Sequence, residues 1–228
     1  MSKILTLILI LSSVKVFSQK TTISNLSNKS KFNPYSFCEH IEEGSCNQKV
    51  EKELINFYPK ILKRINEHTL SFRLESGGNE ILKDIIRNGE VETYYRALNY
   101  IPEIKLLVIY IQHYEGSEYL LVDQINGNSF HSIGMPVIAP DNKNIICINS
   151  DLAAEYSPNG IQVWNYNKGY LKKAYQLITK RWGPKSVSWL SESKVKIERE
   201  TFDMNNYKTT VIKPVTLTYI GGKWILGQ

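Results

Sequence analysis

The chain has 228 residues and a formal net charge of +6, with 42% hydrophobic and 22% charged residues. That length suits one domain with a sizeable core. The basic residues are interleaved with acidic ones, as in Glu51-Lys52-Glu53 and the stretch Lys194 to Glu200, which reads as solvated surface rather than a polyanion-binding stripe. No nucleic-acid recognition motif accompanies the charge, and no segment reaches the roughly 20 apolar residues that cross a bilayer, so neither nucleic acid nor membrane insertion is expected.

The N-terminus reads as a secretory signal peptide. Lys3 supplies the positive region, Ile4 to Leu11 the apolar run, and Val16 and Ser18 the small residues ahead of a cleavage point after Ser18. Removing residues 1–18 takes away Lys3 and Lys15 and lowers the formal charge from +6 to +4. The expected destination is the periplasm or the extracellular space. Residues 19–33 are rich in Ser, Thr, Asn and Lys and read as a lead-in, leaving residues 34–228 as a single β-rich domain. In an oxidising compartment Cys38 and Cys46 are expected to pair across the polar loop between them, stabilising by about 2.5–3 kcal/mol on loop entropy alone. Cys147, between Ile146 and Ile148, reads as a buried free thiol.

Between Ser45 and Ile65 the residues Val50, Leu54, Ile55, Tyr58 and Ile61 follow helical spacing, and Ser45 with Gln48 could form a capping box. Pro59 stops a helix near Phe57 or Tyr58. Beyond it the pattern becomes strand, turn, strand. Ser76-Gly77-Gly78-Asn79, Asn126-Gly127, Asn167-Lys168-Gly169 and Gly221-Gly222 each separate two apolar runs, and paired Asn and Gly residues supply the positive φ of tight hairpins. From Gly77 to Gly127 is 50 residues, to Gly169 another 42 and to Gly222 another 53, a period that fits propeller blades. Upstream of three hairpins lies a second shared feature, a tight turn within Tyr100 to Lys105, Ile138 to Asn144 and Trp189 to Lys194. The expected fold is all-β, mostly antiparallel, as propeller-like blades or a meander with a short N-terminal helix. A β-sandwich is the alternative.

The segment Gly134-Met-Pro-Val-Ile-Ala-Pro-Asp-Asn-Lys143 resembles the Gly-x-Pro-x-Phe-Ser-Pro-Asp-Gly-Lys signature of β-propeller blades in exported bacterial proteins, and Tyr156 to Trp164 is similar to segments of secreted bacterial proteins. The resemblance covers roughly residues 90–226. It departs from the signature at Ala139, at Asn142 where glycine is usual, and in the last copy, where Ser191-Glu192-Ser193 replaces Ser-Pro-Asp. It implies a fold of at most four blades and says little about activity, because propellers host many functions.

Three carboxylates, Asp141, Asp151 and Glu155, are the candidate catalytic groups, since paired carboxylates can divide acid and base roles if their environments differ. The same residues also suit turn capping and loop solvation. The long Ser150 to Gly160 connection is the expected functional loop, with Tyr156, Asn159 and Trp164 as candidate binding residues. His40, His68, His113 and His131 lack metal-ligand spacing, although His113 and His131 could be neighbours; no metal and no cofactor is expected. There is no nucleophile elbow and no phosphate-binding glycine loop. The function expected is therefore a non-enzymatic binding or interaction module with a protein or glycan partner. The alternatives are a hydrolase of extracellular polymer acting through the carboxylates, and an inhibitor or accessory factor of a secreted protein.

Overall fold

A computed structural model describes Phe32 and residues 43–227. The expected signal peptide, the lead-in up to residue 31 and Cys38 lie outside the described residues.

The helix forms where Cys46, Val50 and Leu54 recur every fourth residue. It spans Glu43–Phe57 (α1) and buries that stripe. It begins ahead of Ser45, so a capping box at Ser45 and Gln48 does not mark its start. Pro59 ends it as expected, and the Tyr58 carbonyl then accepts from the Ile61 and Leu62 amides.

Sixteen strands follow in four antiparallel sheets, each a meander of sequential neighbours. Sheet A holds β1 (Leu62–Asn66), β2 (Thr69–Arg73) and β3 (Asn79–Lys83). Sheet B holds β4 (Ile85–Arg87), β5 (Glu90–Ile101), β6 (Leu106–His113), β7 (Ser117–Asp123) and β8 (Ser129–Ser132). Sheet C holds β9 (Pro136–Ile138), β10 (Asn144–Asn149), β11 (Gly160–Asn167) and β12 (Tyr170–Ile178). Sheet D holds β13 (Gly183–Ser191), β14 (Lys194–Asp203), β15 (Lys208–Ile220) and β16 (Lys223–Leu226). With four sheets rather than two, the sandwich alternative does not form.

The sheets stack face to face in chain order, and side-chain alternation shows why. In β10, Ile145 and Cys147 join the core shared with sheet B, while Ile146 joins the core shared with sheet D. In β6, Leu106 and Val108 face sheet C, and Leu107, Ile109 and Ile111 face sheet A and α1. A strand buried on both faces must be apolar throughout, which is why Leu106 to Ile111 and Ile145 to Ile148 read as unbroken runs. Strand β14 alternates instead. Val195 and Ile197 are fully buried against sheet C, and the other face carries Lys196 and Glu198, paired at 2.5 Å. The polar face of β14 marks sheet D as an end of the stack. Among the described residues, core clusters join A to B, B to C and C to D, and none joins D to A.

A part-buried ion pair seats the helix. Arg64 of β1 binds Glu51 of α1 through Nε at 2.9 Å and Nη2 at 2.5 Å, and Nη2 also donates to the Tyr95 carbonyl at 2.8 Å. Glu51 Oε2 accepts the Ala97 amide at 2.8 Å, so one carboxylate covers the open edge of β5 and fixes α1 against it.

At one end of the stack the tight turns bind one another. The Glu75 and Ser76 amides of the β2–β3 turn donate to the Gln124 and Ile125 carbonyls of the β7–β8 turn, and Asn126 Nδ2 of that turn donates to the Gly169 carbonyl of the β11–β12 turn at 2.9 Å. Asn144 Nδ2 of sheet C reaches the Glu192 carbonyl of sheet D at 3.2 Å. The shared sequence turn is also explained here. Asn142 sits at φ 60° and Lys105 at φ 52°, the left-handed position that the propeller signature gives to glycine and that asparagine tolerates.

The signature's first glycine has a different reason. Gly134 lies between β8 and β9, where a Cβ would stand 1.9 Å from the Ile148 carbonyl oxygen, a backbone atom that cannot swing aside. Gly134→Ala is expected to destabilise the fold by about 3 kcal/mol, the upper part of the overpacking range, read as a lower urea midpoint. An unchanged midpoint would show that the B-to-C crossing is not held this tightly.

Candidate functional site

The opposite end of the stack carries the long β10–β11 loop (150–159), together with the β6–β7 turn (114–116), the β12–β13 link (179–182) and the β14–β15 turn (204–207). Sequential antiparallel strands place all of them at the same end, and contacts confirm it. The Ser157 hydroxyl donates to the Ser117 carbonyl at 3.0 Å and accepts the Ser117 amide at 3.2 Å, and the Ser150 hydroxyl donates to Glu200 at 2.9 Å.

The 150–159 loop is wound around Asp151. Its carboxylate accepts the Ser157 amide at 2.9 Å and the Ala154 amide at 3.3 Å. The Asn159 side chain clasps the Asp151 backbone, accepting from its amide and donating to its carbonyl at 3.1 Å. Asn149 Nδ2 donates to the Pro158 carbonyl at 3.0 Å. Glu155 takes φ 57°, a left-handed conformation, and both it and Tyr156 point to solvent. Gly116 (φ 79°) approaches this segment so closely that a Cβ there would lie 3.1 Å from the Tyr156 carbonyl oxygen.

An open recess of about 440 Å³ lies beside the loop. Residues 152–155 form one side, Lys180 and Arg181 a second, and Phe202 and Met204 a third. Lys180 and Arg181 have no ion-pair partner among the described residues. At this end of the stack, each of sheets B, C and D presents one exposed tyrosine from the connection between two of its long strands. These are Tyr114 at 92% exposure, Tyr156 at 62% and Tyr207 at 78%. Tyr207 is held at φ 54° with its ring 6.4 Å from that of Phe202.

The residues expected from sequence divide accordingly. Asp141 Oδ1 accepts the Lys143 amide at 2.9 Å in the β9–β10 turn. The six residues of β10, roughly 17–20 Å of strand, separate that turn from Asp151, so the structure does not bring Asp141 together with Asp151 and Glu155. Asp151 braces its own loop, and Glu155 alone of the three faces the recess. Tyr156 is exposed as expected. Asn159 is 8% exposed and Trp164 5%, and both are occupied in packing: Trp164 lies in the core between sheets B and C, under Lys173 at 4.9 Å and 6.1 Å from the Phe130 ring. Cys46 is buried on α1, and its expected partner Cys38 lies outside the described residues.

His113 and His131 do meet, at one carboxylate. His113 Nε2 lies 3.2 Å from Glu118 Oε1 and His131 Nδ1 2.8 Å from Glu118 Oε2, on a partly exposed surface where such pairs contribute at most about 1 kcal/mol. Among the described residues, no group of three or more His, Cys, Asp or Glu side chains is arranged to hold a metal ion, and no helix is long and apolar enough to cross a membrane. Sequence reasoning passed over Lys180, Arg181, Met204 and Tyr207. The repeat itself could have found Tyr207, which follows the second long strand of its sheet as Tyr114 follows β6. No protein-family model and no curated protein matches the chain.

Burial of Cys147 pushes its thiol up to about 12, against a smaller opposing hydrogen bond with Ser132. Below that pH the sulfur stays protonated, and the thiolate is the reactive form. At pH 8 Cys147 should react with Ellman's reagent only as fast as the protein unfolds, and at once in urea, with the labelled peptide identified by mass. Rapid labelling of the native protein would contradict this placement.

Proposed function

We propose that the protein is an exported, non-enzymatic binding module that recognises its partner at the loop end of the stack. The observation that carries this reading is the segregation of the surface. At one end turns bond to one another through their backbones, and the other end presents Tyr114, Tyr156, Tyr207 and Met204, all more than 60% exposed, together with a recess lined by Lys180 and Arg181, which have no ion-pair partner among the described residues. Exposed tyrosines on a rigid scaffold form contact surfaces at low entropic cost, and an exposed methionine adapts its shape to what it meets. A binding role is favoured over hydrolysis because Asp141 and Asp151 are engaged in their own turn and loop, leaving Glu155 without a carboxylate partner from that set.

Export is supported by the charge, apolar run and small residues of positions 1–18, and the propeller-like repeat signature is shared with exported bacterial proteins. A disulfide between Cys38 and Cys46 belongs to the same reading, because an oxidising compartment favours pairing of two cysteines so close in sequence.

The test is site-specific photo-crosslinking in the exporting cell, with p-benzoylphenylalanine placed at 156, 204 and, as the control at the turn end, 168. Adducts at 156 and 204 but not at 168 are expected, on a chain whose N-terminal residue is Gln19. Adducts confined to 168, or none at any position, would contradict a binding surface at the loop end. A chain retained in the cytoplasm with residues 1–18 intact would contradict export.

A further inference from the structure

The recess beside the 150–159 loop holds opposite charges that do not meet. Glu155 lines one side of it and Lys180 with Arg181 another, and neither cation lies within ion-pair distance of Glu155 or of any other carboxylate among the described residues. Leu152 on the loop, with Phe202 and Met204 from sheet D and its turn, gives the recess apolar walls. Hydrogen bonds hold these parts together. The Glu155 amide donates to the Asp151 carbonyl at 3.2 Å, the Asn159 side chain clasps the Asp151 backbone, and the Asn159 carbonyl accepts the Thr179 amide at 2.9 Å. The Thr179 hydroxyl then donates to the Trp182 carbonyl at 2.5 Å, closing a turn over Lys180 and Arg181. On the far side the Ser150 hydroxyl ties the same loop to Glu200, on the strand that carries Phe202. The Glu155 backbone is held left-handed at φ 57°, a conformation that a non-glycine residue keeps only where its surroundings impose it.

We infer that this recess binds a short apolar peptide by its two ends, the free amino group on Glu155 and the free carboxylate on Lys180 and Arg181. The inference rests on the reading of the loop end as a binding surface and names its ligand class. Two unpaired poles of opposite sign on a braced backbone call for a ligand that carries both signs. A phosphate or a lone carboxylate is opposed by Glu155, and a lone amine by Lys180 and Arg181. A neutral sugar leaves all three charges without a partner. The apolar walls add burial for aliphatic side chains set between the ligand's ends. A volume of about 440 Å³ falls in the range of small-molecule sites, which suits a peptide of a few residues rather than a folded domain.

The probe is the dipeptide Leu-Leu, titrated by calorimetry into the full exported chain alongside its N-acetylated and C-amidated forms. Leu-Leu is expected to bind with a dissociation constant below about 1 mM, within reach of a ligand of its size. Acetylation and amidation should each weaken binding about fivefold, the most that an exposed ion pair contributes. Glu155→Gln should weaken Leu-Leu by the same factor and erase the difference between free and acetylated peptide. Joint Lys180→Gln and Arg181→Gln substitution should erase the difference between acid and amide while the response to acetylation persists. Met204→Ala, which trims an apolar wall, should weaken all forms alike, and Lys168→Gln at the turn end should change nothing. All the substituted side chains are exposed, and circular dichroism verifies folding.

No heat of binding at millimolar peptide, equal affinity for free and blocked ends, or an end-group response that survives both sets of charge substitutions would overturn the inference. If the dipeptide fails while crosslinks form at 156 and 204, the ligand class falls and the binding surface stands. If both fail, the binding reading falls as well.

Discussion

Sheets B and C carry apolar side chains on both faces, and this constraint organises everything else. Ile145 and Cys147 on one side of β10, and Ile146 on the other, are all fully buried. A sheet of that kind exists only between two others. Burying one such side chain contributes about 1.5–3 kcal/mol, so exposing either face of either middle sheet would cost more than the marginal stability of a domain. The stack must then end on sheets with a single apolar face, and sheet D does so by setting Lys196 and Glu198 opposite Val195 and Ile197. At the N-terminal side the Glu51–Arg64 pair holds α1 in the core shared by sheets A and B. Hydrogen bonds between turns then align the sheets at one end, and the other carries the long 150–159 loop, tied to its neighbours through Ser157 and Ser150.

Much of this was written locally. Asn126-Gly127, Asn167-Lys168-Gly169 and the two Gly-Gly pairs mark hairpins because their backbones need positive φ, and the structure has φ values of 81° at Gly127 and 87° at Gly169. Asn88-Gly89 carries the same signal for the β4–β5 hairpin, but β4 is three residues long and exposed throughout, so no apolar run drew attention to it. The charged alternation of Lys194 to Glu200 reads as a solvated face, and one face of β14 is solvated.

The site was less legible, because residue type does not report direction. Trp164 and Asn159 are the kind of side chain that binding surfaces use. Trp164, however, falls on the face of β11 turned toward sheet B, and Asn159 is drawn inward to clasp Asp151. Asp141 and Asp151 lie ten residues apart in sequence, but a strand runs between them, and a strand separates its ends where a loop could join them. Lys180 and Arg181 are unremarkable in the sequence and become a site only when the C-to-D link brings them opposite residues 152–155.

The two ends differ in how their backbone is held: at the turn end amides bond from one turn to the next, whereas at the loop end Ser157 and Ser150 join the sheets through side chains and residues 153–156 stay exposed. Residue-resolved hydrogen–deuterium exchange on the full chain tests it most directly. The Glu75, Ser76 and Gly127 amides, bonded within and between turns, should exchange about a hundredfold or more slowly than those of Ala153 and Tyr156 at the exposed loop. Equal rates at the two ends, or faster exchange at the turns, would contradict it.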